Sequence, residues 1–407
     1  MNYILFDDTT RNNLFPLTFT RPVADIRFGI LTIREKWEMF LQTKTSTLTE
    51  NYLSIKYPII KKENNVLING SVCPNKQLIK QIKALKPNQA LIHDNYIIAL
   101  YTTADNTEYK EENIKTEFVK DNSEIIEDIE TKIPHLKINY LWDIFVKNEQ
   151  AIIEDYDVIT KNRKSQTISN TNKIIGNQNI FVEQGAKIEC AILNASEGPI
   201  YIGRDAEIME SSTIRGPFAL CEHSVVKIGA KIYGPTTIGP YSKIGGELNN
   251  SVIIGYSNKA HDGFIGNSVI GEWCNLGAGT NNSNLKNNYT DVKLWSYKKQ
   301  KFVTTELQFC GLIMGDHSKC GINTMFNTGT VVGINANIYG SGFQKNFIPS
   351  FSWGGTDKFT TYNINTAINV AEKVFKRRNK IFDHIEKNIL KHLYDLTFKF
   401  RADKILY

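Results

Sequence analysis

The chain has 407 residues, 41% of them hydrophobic, and a formal net charge of +6 at pH 7. This length predicts two or three domains, and basic residues that interleave with acidic ones argue against a nucleic-acid groove. No window reaches the roughly 18 apolar residues that a membrane span needs, and the N-terminus lacks the pattern of a secretory signal. The six cysteines form no CxxC pair, which argues against a zinc knot or a disulfide framework. Together these features predict a cytoplasmic protein.

The first 165 residues alternate between short apolar runs and amphipathic segments. The runs predict strands at 3–6 and 65–70, helices at 31–40 and 76–85, and further strand at 90–101. Such alternation is typical of an α/β domain. The charged segment 102–135 is poor in large apolar residues, so we expect loop and helix there.

A six-residue repeat occupies the middle of the chain, and we assign it to a domain spanning 166–348. Every sixth residue is aliphatic in one uninterrupted series: Ile202, Ile208, Ile214, Leu220, Val226, Ile232, Ile238 and Ile244. The same step returns at Phe264, Ile270 and Leu276, and again at Met314, Cys320, Phe326, Val332 and Ile338. A period of six indicates a short strand plus a turn, and three such units form one triangular coil of a parallel β-helix. Successive coils stack at about 4.8 Å.

The last segment, 349–407, changes pattern again. Apolar residues recur at helical spacing over 361–398, which predicts an amphipathic tail in one or two helices. Such a tail would cap the β-helix or lie along it, because an open end exposes strand edges.

The repeat is broken twice, between Ile244 and Phe264 and across 280–310. We expect function at these breaks, because a regular coil offers no side chains in special places. His261 lies in the first break. An imidazole, which ordinarily titrates near pH 6.5, can take the proton of an amine that attacks a thioester. The amide of Asn284 could orient the imidazole or the amine.

Two further features of the breaks suit anionic groups. The run Gly277, Ala278, Gly279 is expected to leave backbone N–H groups near the surface, where they could bind pantetheine or phosphate. Lys259 could pair with a sugar phosphate. A metal enzyme is less favoured, because His223 and His317 lie in regular coils without the HxxxxH spacing of a β-helical carbonic anhydrase.

Residues 259–284 resemble the acetyltransferase domain of the bifunctional glucosamine-1-phosphate acetyltransferase / N-acetylglucosamine-1-phosphate uridyltransferase family. That family has Lys-Ala-Gly-His, then Asn-(Ile/Leu)-Gly-Ala-Gly-Thr, then an Asn-Tyr pair. Here the Lys259 motif lacks the glycine, residues 275–280 match closely, and Leu285 replaces the tyrosine. The resemblance implies a left-handed β-helix, acetyl-CoA as cosubstrate and a homotrimer. It also implies these roles: His261 and Asn284 catalytic; Glu247, Lys259 and Phe264 substrate-binding; Gly277, Ala278, Gly279 and Thr280 acetyl-CoA-binding.

The chain as a whole resembles a divergent, mostly Bacteroidetes-type branch of the same family. The resemblance covers nearly all of the chain, and the segments that carry it are 5–8, 20–22, 257–263, 315–318, 327–333 and 349–354. The resemblance implies N-acetylation of glucosamine-1-phosphate and uridyl transfer from UTP to give UDP-N-acetylglucosamine. It also implies that residues 1–165 form a nucleotidyltransferase-like domain.

The N-terminal loop departs from the pattern of sugar nucleotidyltransferases. Those enzymes follow their first strand with a glycine-rich loop, a Gly-Thr-Arg and a Pro-Lys, which wrap and neutralise the triphosphate. Here residues 7–11 read Asp-Asp-Thr-Thr-Arg, so only Arg11 matches, and Arg21 is a candidate to restore positive charge. Ser71 stands where a magnesium-binding aspartate is expected. Uridyl transfer is therefore predicted to be weak or to use unusual residues, with Mg²⁺ possible and its ligands unknown.

Two other functions remain open. The altered phosphate loop favours a non-catalytic sugar-nucleotide-binding or regulatory subunit. Phe264, in place of a family tyrosine, favours an acyltransferase for a different amino sugar. The polar segment 280–310 is predicted to project from one subunit and to wall a groove against the next one.

Overall fold

The computed structural model describes residues 1–103 and 127–402, in two compact units. The first unit comprises residues 1–14, 20–26 and 31–140, and the second comprises 15–19, 27–30 and 141–407. Most of the charged segment 102–135 lies outside the described residues, and its described part includes a strand rather than the expected loop and helix.

A six-stranded mixed sheet forms the centre of the first unit. Its strands are β1 (Asn2–Phe6), β2 (Ser46–Leu48), β3 (Asn64–Asn69), β4 (Gln89–His93), β5 (Tyr96–Thr103) and β6 (Glu127–Glu130). Their order is β2-β1-β3-β5-β4-β6; β1 runs parallel to β2 and β3, whereas β5 is antiparallel to both of its neighbours. The predicted strands at 3–6 and 65–70 are confirmed. The predicted run at 90–101 is a hairpin that turns at Asp94, whose φ is +50°.

Two helices of the first unit confirm the predictions for 31–40 and 76–85. They are α1 (Ile33–Leu41) and α2 (Lys76–Ala84). Thr32 begins α1 through a capping box with Glu35, and Asn75 caps α2 by accepting hydrogen bonds from two backbone amides. Short 3₁₀ turns cover Thr9–Asn13 and Val23–Asp25.

A parallel β-solenoid with three faces makes up most of the second unit. The first face holds Lys173–Ile175, Ile192–Asn194, Thr213–Arg215, Lys231–Tyr233, Glu247–Asn249 and Phe264–Gly266. The second holds Ile180–Val182, Ile200–Ile202, Phe218–Leu220, Thr236–Ile238, Val252–Gly255, Val269–Glu272, Leu312–Met314, Thr330–Val332 and Phe347–Ile348. The third holds Lys187–Ile188, Glu207–Ile208, Val225–Val226, Lys243–Ile244, Asn258–Lys259, Asn275–Leu276, Lys319–Cys320, Asn337–Ile338 and Ser352–Gly354.

The six-residue repeat predicts the solenoid interior correctly over most of its length. All eight aliphatic residues from Ile202 to Ile244 are at most 1% exposed. Phe264 is the exception in the later series, because it pairs with Glu247 and faces outward while its neighbour Ile265 pairs with Leu248 inside. The irregular spacing of this coil shifts the inward position by one residue.

The polar segment 280–310 is predicted to project from the subunit rather than to pack as core. In the structure, part of it packs on its own chain. Asn281–Asn282 pairs with Met325–Phe326, and Lys293–Ser296 forms an antiparallel hairpin with Lys301–Thr304. Trp295 in this hairpin is buried and stacks on Phe347, with ring centroids 4.3 Å apart. The hairpin thus packs on its own chain through a few apolar residues that the surrounding asparagines and lysines obscure.

The remaining helices of the second unit flank the solenoid in sequence. They are α3 (Asp143–Val146), α4 (Asn148–Thr160), α5 (Ile364–Arg377), α6 (His384–Leu396) and α7 (Lys399–Ala402), with a 3₁₀ turn at Asn177–Asn179. The predicted tail is confirmed as two main helices, and Phe375 of α5 stacks on Trp273 at 4.0 Å. Phe359–Thr361 pairs antiparallel with Ser352–Gly354 and so covers the last parallel strand of the third face. None of the helices within the described ranges is long and apolar enough to cross a membrane.

Candidate functional site

His261 lies on the corner that joins Asn258–Lys259 on the third face to Phe264–Gly266 on the first face. Its side chain is exposed. Among the described residues, none forms a hydrogen bond or an ion pair with the imidazole, although the His261 carbonyl accepts a hydrogen bond from the Lys259 ammonium. The chain leaves the corner through Gly263, whose φ of +118° a residue with a side chain rarely adopts. The imidazole is therefore available to a ligand.

Glu247 and Phe264 are neighbours on the outer surface of the first face. Their backbones pair in register, so both side chains point away from the core. The Glu247 carboxylate accepts a hydrogen bond of 2.6 Å from the Tyr233 hydroxyl and lies 3.8 Å from the Lys231 ammonium. The hydrogen bond to Glu247, with burial second, raises the pKa of Tyr233.

Tyr233 and Lys231 were not among the predicted site residues. Their place in the repeat could have indicated them. Lys231 pairs with Glu247, and Tyr233 pairs with Asn249, one coil later on the same face. Outward positions carry no periodic hydrophobic pattern, however, so the repeat alone did not single them out.

Asn284 lies beside Phe264 at the end of the first face. A Cβ placed on Gly266 would lie 2.5 Å from the Phe264 ring and 2.7 Å from the Asn284 amide nitrogen, so both side chains cover this glycine. The Asn284 amide donates to Asn267 at 2.8 Å. Across the described part of the chain, no hydrogen bond joins Asn284 to the His261 imidazole. The structure therefore places Glu247, Phe264 and Asn284 on one outer surface. His261 lies on the corner that precedes the last strand of this surface, Phe264–Gly266.

Lys259 does not occupy the position that pairing with a sugar phosphate requires. It pairs in register with Ile244, points into the solenoid and is 2% exposed. Its ammonium donates to the carbonyls of Gly245, His261 and Asp262. Burial lowers the pKa of Lys259 to about 8, and the Asp262 carboxylate opposes that shift. This geometry argues against the predicted contact with substrate.

The Gly277–Thr280 run also differs from its prediction. The amides of Gly277, Gly279 and Thr280 donate to the carbonyls of Cys320, Asp262 and Gly277, respectively. The Thr280 side chain is buried, and its hydroxyl donates to the Gly277 carbonyl at 2.7 Å. The amides of Gly277 and Gly279 join adjacent coils and that of Thr280 closes the turn, so these three N–H groups are already engaged in the structure. A contact with acetyl-CoA here would have to come from the exposed edge of the run.

In the first unit, the two acidic residues that follow β1 are both paired. Asp7 accepts hydrogen bonds from Arg11 at 3.3 Å, from the Thr49 hydroxyl and from the Val23 amide. Burial raises the pKa of the Asp7 carboxyl, and Arg11 opposes that shift. Arg11 itself is 2% exposed and also donates to the Tyr52 hydroxyl at 2.7 Å. The predicted nucleotide-binding arginine is thus a buried partner of Asp7, and Arg21 is buried as well.

Lys137 is the residue of this region that sequence reasoning missed. Its ammonium lies 3.8 Å from the Asp8 carboxylate, donates to the Thr10 hydroxyl at 3.0 Å and stands over the ring of Tyr96. Asp8 also accepts a hydrogen bond from Asn69, at the end of β3. Lys137 is therefore a lysine at the carboxyl ends of β1 and β3, the edge at which open α/β sheets bind ligands. Its distance from the loop in sequence gave no local motif.

The expected position of a magnesium-binding aspartate is occupied by Ser71, which is buried. Its hydroxyl and its amide both bond to the Asn69 side-chain oxygen. Within residues 1–103 and 127–402, no cluster of three His, Cys, Asp or Glu side chains is arranged to hold a metal ion. A cation at this edge would need oxygen ligands from a bound phosphate in addition to Asp8.

Comparison with known proteins finds similarity to nucleotidyltransferases and acetyltransferases of sugars. Residues 3–164 match the family model described as sugar nucleotidyl transferase. The chain is 30% identical over 171 residues to the bifunctional sugar-1-phosphate nucleotidylyltransferase/acetyltransferase of Sulfurisphaera tokodaii, covering 41% of this chain and 40% of that relative. It is 36% identical over 89 residues to the bifunctional protein GlmU of Methanocaldococcus jannaschii, covering 22% and 21%. The matches thus span less than half the length of these relatives.

Solved structures similar to this chain include acyltransferases of low sequence identity. The UDP-N-acetylglucosamine acyltransferase of Francisella novicida is 15% identical, with a TM-score of 0.26, covering 59% of this chain and 88% of that one. AntD, an N-acyltransferase from Bacillus cereus solved with dTDP-4-amino-4,6-dideoxyglucose and coenzyme A, is 12% identical, with a TM-score of 0.23, covering 51% and 91%.

Proposed function

We propose that the solenoid unit transfers an acetyl group from acetyl-CoA to the amine of an amino-sugar phosphate, with glucosamine-1-phosphate as the leading candidate. The observation that carries the proposal is the imidazole of His261, which is exposed and has no hydrogen-bonding partner in the described part of the chain, at the corner that leads into Phe264–Gly266. Glu247, Phe264 and Asn284 lie on the adjoining outer surface. An available base beside polar and aromatic side chains suits recognition of a sugar and activation of its amine.

The proposed reaction needs one base and one leaving group. The amine forms a C–N bond to the thioester carbonyl carbon, the C–S bond breaks, and the coenzyme leaves as the free thiol. The imidazole accepts the proton that the amine loses as the C–N bond forms. Glu247, already held by Tyr233, presents a carboxylate that can accept hydrogen bonds from sugar hydroxyls.

The first unit is proposed to transfer a uridyl group from UTP to the acetylated sugar phosphate. The match of residues 3–164 to the sugar nucleotidyl transferase model supports this proposal. The loop after β1 is also less repulsive to phosphates than its sequence indicates, because Arg11 pairs with Asp7 and Lys137 with Asp8. If Mg²⁺ takes part, Asp8 is the carboxylate at the sheet edge that would hold it together with phosphate oxygens.

One observation favours a different amino sugar as the substrate. Phe264 brings a ring without a hydroxyl to the outer surface, while the phenol of Tyr233 lies two coils away and donates to Glu247. With Phe264 in place of a tyrosine, this surface offers the sugar one hydroxyl fewer for hydrogen bonding.

A substrate panel tests the proposed function. Purified protein is incubated with acetyl-CoA and a series of amino-sugar phosphates and nucleotide-linked amino sugars, and release of free thiol is followed. Turnover with glucosamine-1-phosphate supports the leading candidate. Turnover only with another amine would replace the substrate, and absence of thiol release with every amine would favour the binding or regulatory role.

We predict a homotrimer in solution. The outer surface that carries Glu247 and Phe264 is one side of a solenoid, and a ligand site needs a concave wall to bury most of its ligand. A second copy placed by three-fold symmetry would supply that wall and leave no open interface. Light scattering at micromolar protein should give about three times the 46.3 kDa of one chain. A monomer that still acetylates its substrate would contradict a site built between subunits.

A further inference from the structure

A lysine replaces the expected aliphatic residue at one inward position of the solenoid. Along the third face the inward residues run Val226, Ile244, Lys259, Leu276 and Cys320. Lys259 is among the largest fully buried side chains of the described residues. The coil that ends at Lys259 has 15 residues from Ile244, against 18 from Val226 to Ile244. Lys259 thus lies at the end of the shortened coil, directly before the corner that carries His261.

The ammonium of Lys259 joins two successive corners from the inside. It donates to the Gly245 carbonyl at 3.4 Å and to the Asp262 carbonyl at 3.0 Å, and it also donates to the His261 carbonyl. Three N–H donors of an ammonium thus meet three acceptors. Buried carbonyls are rarely left unpaired. The Asp262 carbonyl also accepts from the Gly279 amide, whereas the ammonium is the donor that the structure describes for the His261 carbonyl.

We propose that Lys259 is a positioning residue, which fixes the corner bearing His261 by holding its carbonyls from within the solenoid. The proposal rests on the proposed acetyl transfer for its kinetic consequence, but its structural content does not. Without the ammonium, the His261 carbonyl loses its donor and the corner can relax. A displacement of the base by about 1 Å can lower a reaction rate by about 10²-fold.

The charge state of Lys259 couples this contact to pH. The titratable groups that face it are the Asp262 carboxylate and the Cys320 thiol, and burial lowers the pKa of Lys259 to about 8. An unfolded lysine titrates near 10.4. Between these values the unfolded state binds the proton that the folded state has released, so this group makes the protein more stable as pH rises from about 8 to about 10.4. Below pH 8 its buried charge costs stability.

The decisive variant is Lys259→Met, with Leu276→Met as the matched control at the next inward position of the same face. Methionine fills an apolar interior without bonding to the carbonyls. We expect Lys259→Met to lower kcat by about 10- to 10²-fold with KM little changed, and the control to stay near wild type. Lys259→Gln, which keeps a donor, should be intermediate. In a double mutant, Lys259→Met should add little to His261→Ala, because it acts through that residue.

Two readouts do not depend on activity. With ¹³C-labelled histidine, Lys259→Met should shift or broaden the His261 imidazole signal, and Leu276→Met should not. The Tm of the wild type should rise relative to that of Lys259→Met between pH 8 and pH 10. An unchanged His261 signal or an unaltered kcat in an active protein would overturn the positioning role, and a pH-independent Tm difference would overturn the buried charge. A wild type that acetylates no amine refutes the proposed function, while the His261 signal still decides this inference.

Discussion

Replacing His261 with alanine is expected to lower the rate of acetyl transfer by about 10²- to 10⁴-fold, the usual contribution of a positioned general base. An amine at neutral pH is mostly protonated, so attack on the thioester needs a group that removes the proton. The imidazole is exposed and is the candidate base on the corner that leads into the strand of Phe264. Thiol release measured at saturating acetyl-CoA would report the change. Because the side chain is exposed, its removal should change the free energy of unfolding little.

His223→Ala is the appropriate control for this experiment. His223 is also a corner residue of the solenoid, but it stacks on Tyr241 at 4.7 Å and lies two coils earlier. We expect near-normal acetyl transfer from this variant. Wild-type turnover by His261→Ala would remove the assignment of the base, whereas equal losses in both variants would point to a general effect on the solenoid.

The fold could be predicted to a large extent because its periodicity is local. The aliphatic series from Ile202 to Ile244 marks inward positions directly, and the helices at Ile33–Leu41 and Ile364–Arg377 follow from amphipathic spacing. The prediction failed where spacing changes. The inward residue is Ile265 rather than Phe264, because five residues instead of six separate it from the next inward residue, Ile270, and this shift depends on which backbone groups pair across coils.

The candidate site was harder to predict because its side chains come from different coils. Tyr233 meets Glu247 only through stacking of adjacent coils, and Lys137 meets Asp8 across most of the first unit's sequence. The Gly277–Thr280 motif illustrates the converse difficulty. Its residue types suit anion binding, but the amides of Gly277 and Gly279 donate to carbonyls of neighbouring coils and that of Thr280 donates within the turn. Residue type indicates what a group can bind, whereas availability depends on hydrogen bonds that only the fold determines.

The structure weakens the argument for a non-catalytic regulatory subunit. That alternative rested on a phosphate loop with two acidic residues and too few basic ones. Asp7 and Asp8 each have a cationic partner in the first unit, so the loop need not repel a nucleotide. The missing glycines remain a real departure, because the backbone cannot wrap a triphosphate in the same way. Activity in this unit would therefore depend more heavily on side chains.

Lys137→Met is expected to lower uridyl transfer by about 10²-fold, because loss of one electrostatic contact to the charge that develops in a transition state has an effect of this size. Acetyl transfer should be unchanged. The substitution removes the cation beside Asp8 and leaves that carboxylate facing the incoming phosphates. Mg²⁺-dependent release of pyrophosphate from UTP and N-acetylglucosamine-1-phosphate measures the effect. Lys44→Met is the matched control, since this lysine side chain is 92% exposed in the same unit and forms an ion pair with Glu38, away from Asp8 in sequence.

A second substitution separates two roles of Lys137. If its ammonium only neutralises Asp8 and this carboxylate holds no Mg²⁺, then adding Asp8→Asn to Lys137→Met should restore much of the pyrophosphate release, because the repulsive charge is gone. If the ammonium contacts a phosphate directly, or if Asp8 holds Mg²⁺, the double variant should stay as slow as the single one. The sequence predicts weak uridyl transfer, so robust turnover by the wild type would overturn that prediction. Full turnover by Lys137→Met would show instead that the phosphates bind away from the carboxyl ends of β1 and β3. Without Lys137, the Asp8 carboxylate would repel a triphosphate bound beside it.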